Sequence, residues 1–191
     1  MELCGSGEGD FWWGKVNARF LFISEKKKGI HLRFTFYICI MLLYLDIDGV
    51  MVPANAWRKP EILEDGFPAF SSNAVRSLDR IISSSSANIV LTTSHKYKYT
   101  LKEWNNIFKR RNINVNKITR LPKNPNHLNR KEELLQWFNT KNVDEKFIII
   151  DDDKSLNGLP DFLKSKLIQT SGSVGLTESL ADEAIDKIKM Y

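Results

Sequence analysis

Continuous apolar runs, rather than alternating ones, mark the strands of this chain. Residues 42–45 read Leu-Leu-Tyr-Leu, 88–91 read Asn-Ile-Val-Leu and 147–150 read Phe-Ile-Ile-Ile. A strand covered on both faces by helices has no polar face, so such runs predict a buried parallel sheet. Between them the period changes to that of a helix. Val75, Leu78, Ile81 and Ile82 form an apolar stripe over residues 71–82, and the serines at 83–86 are expected to end it. Thr100 and Glu103 make a capping box for a helix through about residue 111, with Leu101, Trp104, Ile107 and Phe108 on its buried face. Residues 112–119 predict a short strand, 122–129 a loop, 166–170 another strand and 177–189 a last helix. The alternation predicts an α/β fold, three layers (α/β/α, Rossmann-like) around a mainly parallel sheet.

Where these strands end, the polarity changes abruptly. The first runs into Asp46-Ile47-Asp48-Gly49 and the third into Asp151-Asp152-Asp153. In open α/β sheets, ligands bind beyond the carboxyl ends of the strands. Asp46 and Asp48 repel each other, so a divalent cation or a shared proton is needed to keep both. Acidic residues also start turns, but two clusters in the same strand context gather several carboxylate oxygens around one point. Hard oxygen ligands of that kind suit Mg²⁺. The middle strand ends in Thr92-Thr93-Ser94, whose hydroxyls and N–H groups suit a phosphate oxygen.

A fourth element is basic. Asn129 and Glu132 make a capping box at the start of a helix carrying Leu134, Leu135, Trp137 and Phe138. Arg130 and Lys131, in its first turn, are placed to point a cation at the anionic centre and neutralise a phosphoryl group.

Taken in order, these residues resemble the haloacid dehalogenase (HAD) superfamily of phosphohydrolases. The first motif is Asp46-Ile47-Asp48-Gly49. The second is a strand-end hydroxyl, Thr92 or, one residue on, Thr93. The third is Lys131 or Arg130, and the fourth is Asp151-Asp152. The resemblance spans roughly residues 41–188. The stretch from Arg130 to Phe138, with Asp151-Asp152 and Gly175-Leu176-Thr177, is further similar to the HAD domains associated with Swiss Army Knife RNA-repair proteins. Relatives often carry Trp-Arg after the second motif, where this chain has His95-Lys96. His95 is read as a loop residue rather than a catalyst.

The resemblance implies a Mg²⁺-dependent phosphatase. Asp46 would be the nucleophile, forming an aspartyl-phosphate, and Asp48 the general acid and base. Mg²⁺ would be held by Asp46, the backbone carbonyl of Asp48, and Asp151, with Asp152 assisting. Thr92 or Thr93 and Lys131 or Arg130 would hold phosphoryl oxygens. Two alternatives stand beside this reading: a phosphotransferase, and a non-catalytic nucleic-acid-associated module that kept the fold.

Spacing and charge bear on the substrate. About forty residues separate the first two motifs, and a core helix uses a dozen of them, so the cap is expected to be minimal or absent. An open site suits bulky substrates. From Lys96 to Lys131 there are eleven Lys or Arg and one acid, Glu103, within a chain of net charge +5. Tyr97, Tyr99 and Trp104 are interleaved with them, so segment 96–131 is a candidate contact for a nucleotide or nucleic acid. The plainer alternative is a solvated basic helix with Trp104 in the core. Trp57 and Phe67 either cover the site or pack against it.

Hydrophobic content of 42% and charged content of 27% are ordinary for a globular domain. Cys4 and Cys39 give no disulfide or metal pattern, and His31, His95 and His127 are scattered. Residues 1–40 are expected to form an extension outside a catalytic domain at 41–191, with Met41 an alternative start. Lys26-Lys27-Lys28 followed by the apolar stretch 34–45 imitates a signal peptide, but twelve residues are too few for a membrane span. No membrane contact and a cytoplasmic location are expected; the oligomeric state stays open.

Overall fold

Strand β3 (Met41–Leu45) lies at the centre of a five-stranded sheet in the order β5-β4-β3-β6-β7, and every pairing in it is parallel. The other strands are β4 (Asn88–Leu91), β5 (Ile118–Arg120), β6 (Lys146–Asp151) and β7 (Leu167–Gln169). The computed structural model describes residues 18–19, 37–38, 41–54, 60–140 and 145–191. The chain divides into two units, Met1–Cys39 and Ile40–Tyr191. In the first, β1 (Ala18–Arg19) pairs antiparallel with β2 (Tyr37–Ile38). The rest of the proposed extension, and Trp57, lie outside the described residues.

Side-chain alternation along the strands builds the layers. Leu43, Leu45, Ile89, Leu91, Ile148, Ile150 and Ile168 share one core with helices α1 (Ser72–Ser85), α2 (Leu101–Arg110) and α5 (Glu178–Lys189). Tyr44, Val90, Ile149 and Leu167 face the other way, onto α3 (Arg130–Thr140) and the short α4 (Asp161–Lys164). Each buried Leu or Ile contributes about 1.5–3 kcal/mol, so it is the two covered faces that hold the sheet. This is the three-layer α/β/α Rossmann-like fold expected from the alternation of elements.

Local signals set most helix starts. The Ser71 hydroxyl accepts from the Ala74 N–H at the head of α1. Thr100 and Glu103 form the expected reciprocal box, as do Asn129 and Glu132. Thr177 caps α5.

Two expectations are corrected. Helix α1 runs through the serines to Ser85, because the Ser84 and Ser85 hydroxyls bond back to the Ile81 carbonyl and leave the helix intact. It stops at Ser86, which is left-handed (φ 54°). The strand expected over 112–119 shrinks to Ile118–Arg120, because Asn112 turns the chain in a left-handed conformation (φ 59°). The 3-10 turns Ser94–Tyr97 and Lys154–Gly158, and α4, had no periodic signal.

Between β3 and α1 the described residues make turns and two isolated bridges, Asp48 with Val52 and Ile62 with Pro68, and carry no inserted domain. No helix among the described residues is long and apolar enough to cross a membrane.

Candidate active site

The chain winds outward from β3 through β4 to β5, then crosses back to place β6 on the other side of β3. The point between β3 and β6, where that direction reverses, is where an open α/β sheet leaves a crevice. Asp46 follows β3 directly, its N–H bonded to the Ile150 carbonyl of β6 at 3.0 Å. Asp151 is the last residue of β6. Both carboxylates are buried. Oxygens of Asp46, Asp151 and Asp152 lie within 4.8 Å of one another.

Residues 47–52 form a tight loop after Asp46. The Ile47 carbonyl accepts from Met51 and Val52, and the Gly49 N–H reaches the Val52 carbonyl. Gly49 has φ +72°, which a side chain rarely tolerates. A Cβ there would also collide with the Asp152 carboxylate, and one on Gly172 would come within 2.5 Å of Asp152 Oδ2. Two glycines thus make the cradle in which Asp152 sits. The buried Thr170 hydroxyl donates to the Gly49 carbonyl at 2.9 Å and pins the loop from β7's end. The 175–177 stretch is structural: the Leu176 N–H bonds the Val50 carbonyl at 2.9 Å, with Gly175 (φ +80°) packed closely against it.

Arg130 enters this acidic centre from the first turn of α3. Its Nη2 lies 2.9 Å from Asp46 Oδ1 and its Nε 3.0 Å from Asp151 Oδ2. It also donates to the Thr92 carbonyl. Burial works against its charge, but Asp46, Asp151 and Glu133 outweigh burial and hold its pKa up. Glu133, one turn further along α3, lies 3.2 Å from Arg130 and accepts from Lys96 Nζ at 2.8 Å. Lys131 points elsewhere, with its side chain beside Gly158.

The carboxylates are under strain as charged groups. Burial pushes Asp46 well above the ordinary carboxylate range, and the Asp151 charge adds to it; Arg130 opposes both without cancelling them. Asp151 is raised for the same first reason, again with Arg130 opposing. Asp152 is raised chiefly by burial. Asp151 Oδ2 is buried and, among the described residues, accepts no well-formed hydrogen bond, despite its proximity to Arg130. An uncommitted buried oxygen, two neighbouring carboxylates and an excess of negative charge fit a hard divalent cation.

The remaining candidates are also placed. Thr92 and Thr93 are fully buried. Among the described residues Thr92 Oγ1 has no hydrogen-bond partner, whereas Thr93 Oγ1 accepts from the His95 N–H at 3.3 Å. The Asp48 side chain is 54% exposed and lies 3.2 Å from His95 Nε2. Asp153 turns away from the centre to cap the following 3-10 turn, accepting from the Ser155 N–H. Glu133, Thr170, Gly172 and the contact of His95 with Asp48 were not anticipated. Glu133 alone carried a local clue, since it lies three residues after Arg130 on the same helix.

Beside Arg130 opens a cleft of about 450 Å³, lined among others by Lys96, Tyr97, Lys123, Asn124 and His127. The basic segment is less free than its count suggests. Lys96 is paired with Glu133, and Arg111, buried, with Asp65 at 2.7 Å. Trp104 is fully buried, donating to the Lys96 carbonyl, and Tyr99 packs edge-on against it, so Trp104 is a core residue and no stacking surface. Phe67 likewise packs in the core, against Phe70, Tyr99 and Trp104. Tyr97 is 40% exposed, with the Arg120 guanidinium 4.1 Å from its ring centre and Lys123 Nζ at 5.5 Å.

A family model described as the HAD domain in Swiss Army Knife RNA repair proteins matches residues 42–181. No curated protein matches the chain.

Proposed function

The chain belongs to the HAD domain family of the Swiss Army Knife RNA repair proteins, and from that premise we propose that it is a Mg²⁺-dependent phosphatase acting on phosphomonoesters. The observation that supports this best is the convergence of Asp46, Asp151 and Asp152 on one point, with Arg130 as their cation. Asp46 attacks phosphorus, the bond to the leaving oxygen breaks, and an aspartyl-phosphate forms on Asp46. Asp48 gives its proton to the leaving oxygen and later takes one from the water that cleaves the acyl phosphate. Arg130 faces the transferring oxygens, with a strand-end hydroxyl of Thr92 or Thr93 beside it. Mg²⁺ would be held by Asp46, the Asp48 backbone carbonyl and Asp151, with Asp152 assisting, and would supply the positive charge that lets a phosphate dianion approach four carboxylates.

For the substrate we propose a phosphorylated nucleic-acid end or nucleotide. The family's description names RNA repair proteins. The cleft beside Arg130 is lined by the half-exposed ring of Tyr97 and by Lys123, an aromatic face and a cation of the kinds that hold a base and its phosphate.

Phosphate release tests the reading. The panel is p-nitrophenyl phosphate, nucleotides, 5′- and 3′-phosphorylated oligonucleotides and a phosphopeptide, each with and without Mg²⁺. Release that requires the metal and is abolished in Asp46→Asn is expected, with oligonucleotides preferred. No release from any of them by the folded, metal-bound protein would sink the phosphatase reading.

A further inference from the structure

Asp48 must aim a proton at one oxygen, yet its carboxyl is more than half exposed and sits on a loop. A carboxyl free to rotate in water spends little time aligned, and alignment is a large share of what a general acid contributes. Among the described residues, the side chain that meets the Asp48 carboxylate is His95, with Nε2 3.2 Å from Oδ2.

The backbone around His95 is held on both sides. Its N–H bonds the hydroxyl of buried Thr93, and its carbonyl accepts from the Lys98 N–H at 2.8 Å. The next residue, Lys96, is buried and tied to Glu133. The Lys96 carbonyl accepts from both Trp104 Nε1 and Arg120 Nη1. The imidazole stands edge-on to Phe67, ring centres 6.4 Å apart. A 3-10 turn on a packed base therefore presents one ring to the Asp48 carboxyl, which projects into solvent from a loop whose backbone is itself held.

We infer that His95 is a positioning residue for Asp48. One carboxyl oxygen, Oδ2, rests against the imidazole, and the other, Oδ1, is left to carry the proton toward the leaving oxygen. His95 exchanges no proton in the reaction: the Asp48 proton goes to the leaving oxygen as its bond to phosphorus breaks and the bond to Asp46 forms. The inference rests on the phosphatase reading above and adds a residue to it. The same turn also sends Lys96 to Glu133 and so to Arg130, so one short segment after β4 braces both the proton donor and the phosphoryl-facing cation.

Leaving-group dependence separates this role from a merely structural one. A nucleoside 5′-phosphate leaves as an alkoxide and needs a proton; p-nitrophenolate does not. kcat/KM for both esters is measured in Mg²⁺ for wild type, His95→Ala and His95→Gln, with thermal melting to confirm folding. His95→Ala is expected to lose about 10- to 100-fold on the alkyl ester and about threefold or less on p-nitrophenyl phosphate. His95→Gln, whose amide N–H reaches toward the same carboxylate, is expected to recover most of the loss. Equal losses on the two esters, or no loss on either, with wild type active, would overturn the positioning role alone. Absence of metal-dependent release by wild type would overturn the phosphatase reading and this role with it.

Discussion

Arg130 Nη2 and Asp46 Oδ1 are 2.9 Å apart across 84 residues of chain, both side chains nearly buried. The pair joins the start of α3 to the end of β3, and it brings one cation among three converging carboxylates. Removing the cation should therefore be costly before any chemistry is considered. Arg130→Ala is expected to destabilise the metal-free protein by about 3–5 kcal/mol near neutral pH, because it leaves buried carboxylates unpaired. Lys131→Ala, one residue on but beside Gly158, should stay within about 0.5 kcal/mol of wild type. Urea unfolding of the two variants checks the contrast.

The acidic centre should also make stability depend on pH. In the folded, metal-free protein, burial holds the protons on Asp46 and Asp151 to higher pH than in the unfolded chain. From the unfolded value of about 4 upward, the folded state binds more protons, so stability falls as pH rises and the loss is complete above the folded values. Asp46→Asn removes one of these groups. Its melting temperature without metal should exceed wild type's at pH 8 by about 3 °C or more, taking about 2–4 °C per kcal/mol for a domain of this size. The difference should shrink toward pH 4. A pH-independent difference in melting curves would count against a strained carboxylate at position 46.

Asp152 occupies space that only glycines leave open. Gly172→Ala should push its carboxylate away and weaken Mg²⁺ binding about 10- to 100-fold, the usual cost of disturbing a group that supports a metal site. Titration calorimetry with Mg²⁺ measures this directly, and melting without metal should show little change at this exposed turn.

Two aromatic residues of the basic segment should behave in opposite ways. Tyr97→Ala is expected to raise KM for a phosphorylated oligonucleotide by the equivalent of about 1–3 kcal/mol while leaving stability near wild type. Trp104→Ala empties a fully buried site and should cost about 3–5 kcal/mol of stability. Kinetics and denaturation of the two variants together test whether the cleft, and not the segment's overall charge, meets a phosphorylated oligonucleotide of the kind proposed as substrate.

The sequence by itself determined the parts governed by neighbours along the chain. β3, β4 and β6 are legible because a strand buried on both faces must be apolar throughout. The starts of α2, α3 and α5 are legible because a cap and its partner lie within one turn. Asp46 and Asp151 could be placed at one point because parallel strands put their carboxyl ends together. Only the tertiary structure decided which of Arg130 and Lys131 faces those carboxylates, since that depends on the rotation of α3, set by Leu134 and Phe138 packing against the sheet. It also decided that Trp104 lies in the core, that Asp153 caps a turn, and that His95 meets Asp48. A periodic pattern reports which face of an element is buried, but contacts between distant segments need a rotation and a register that only the packing of both layers supplies.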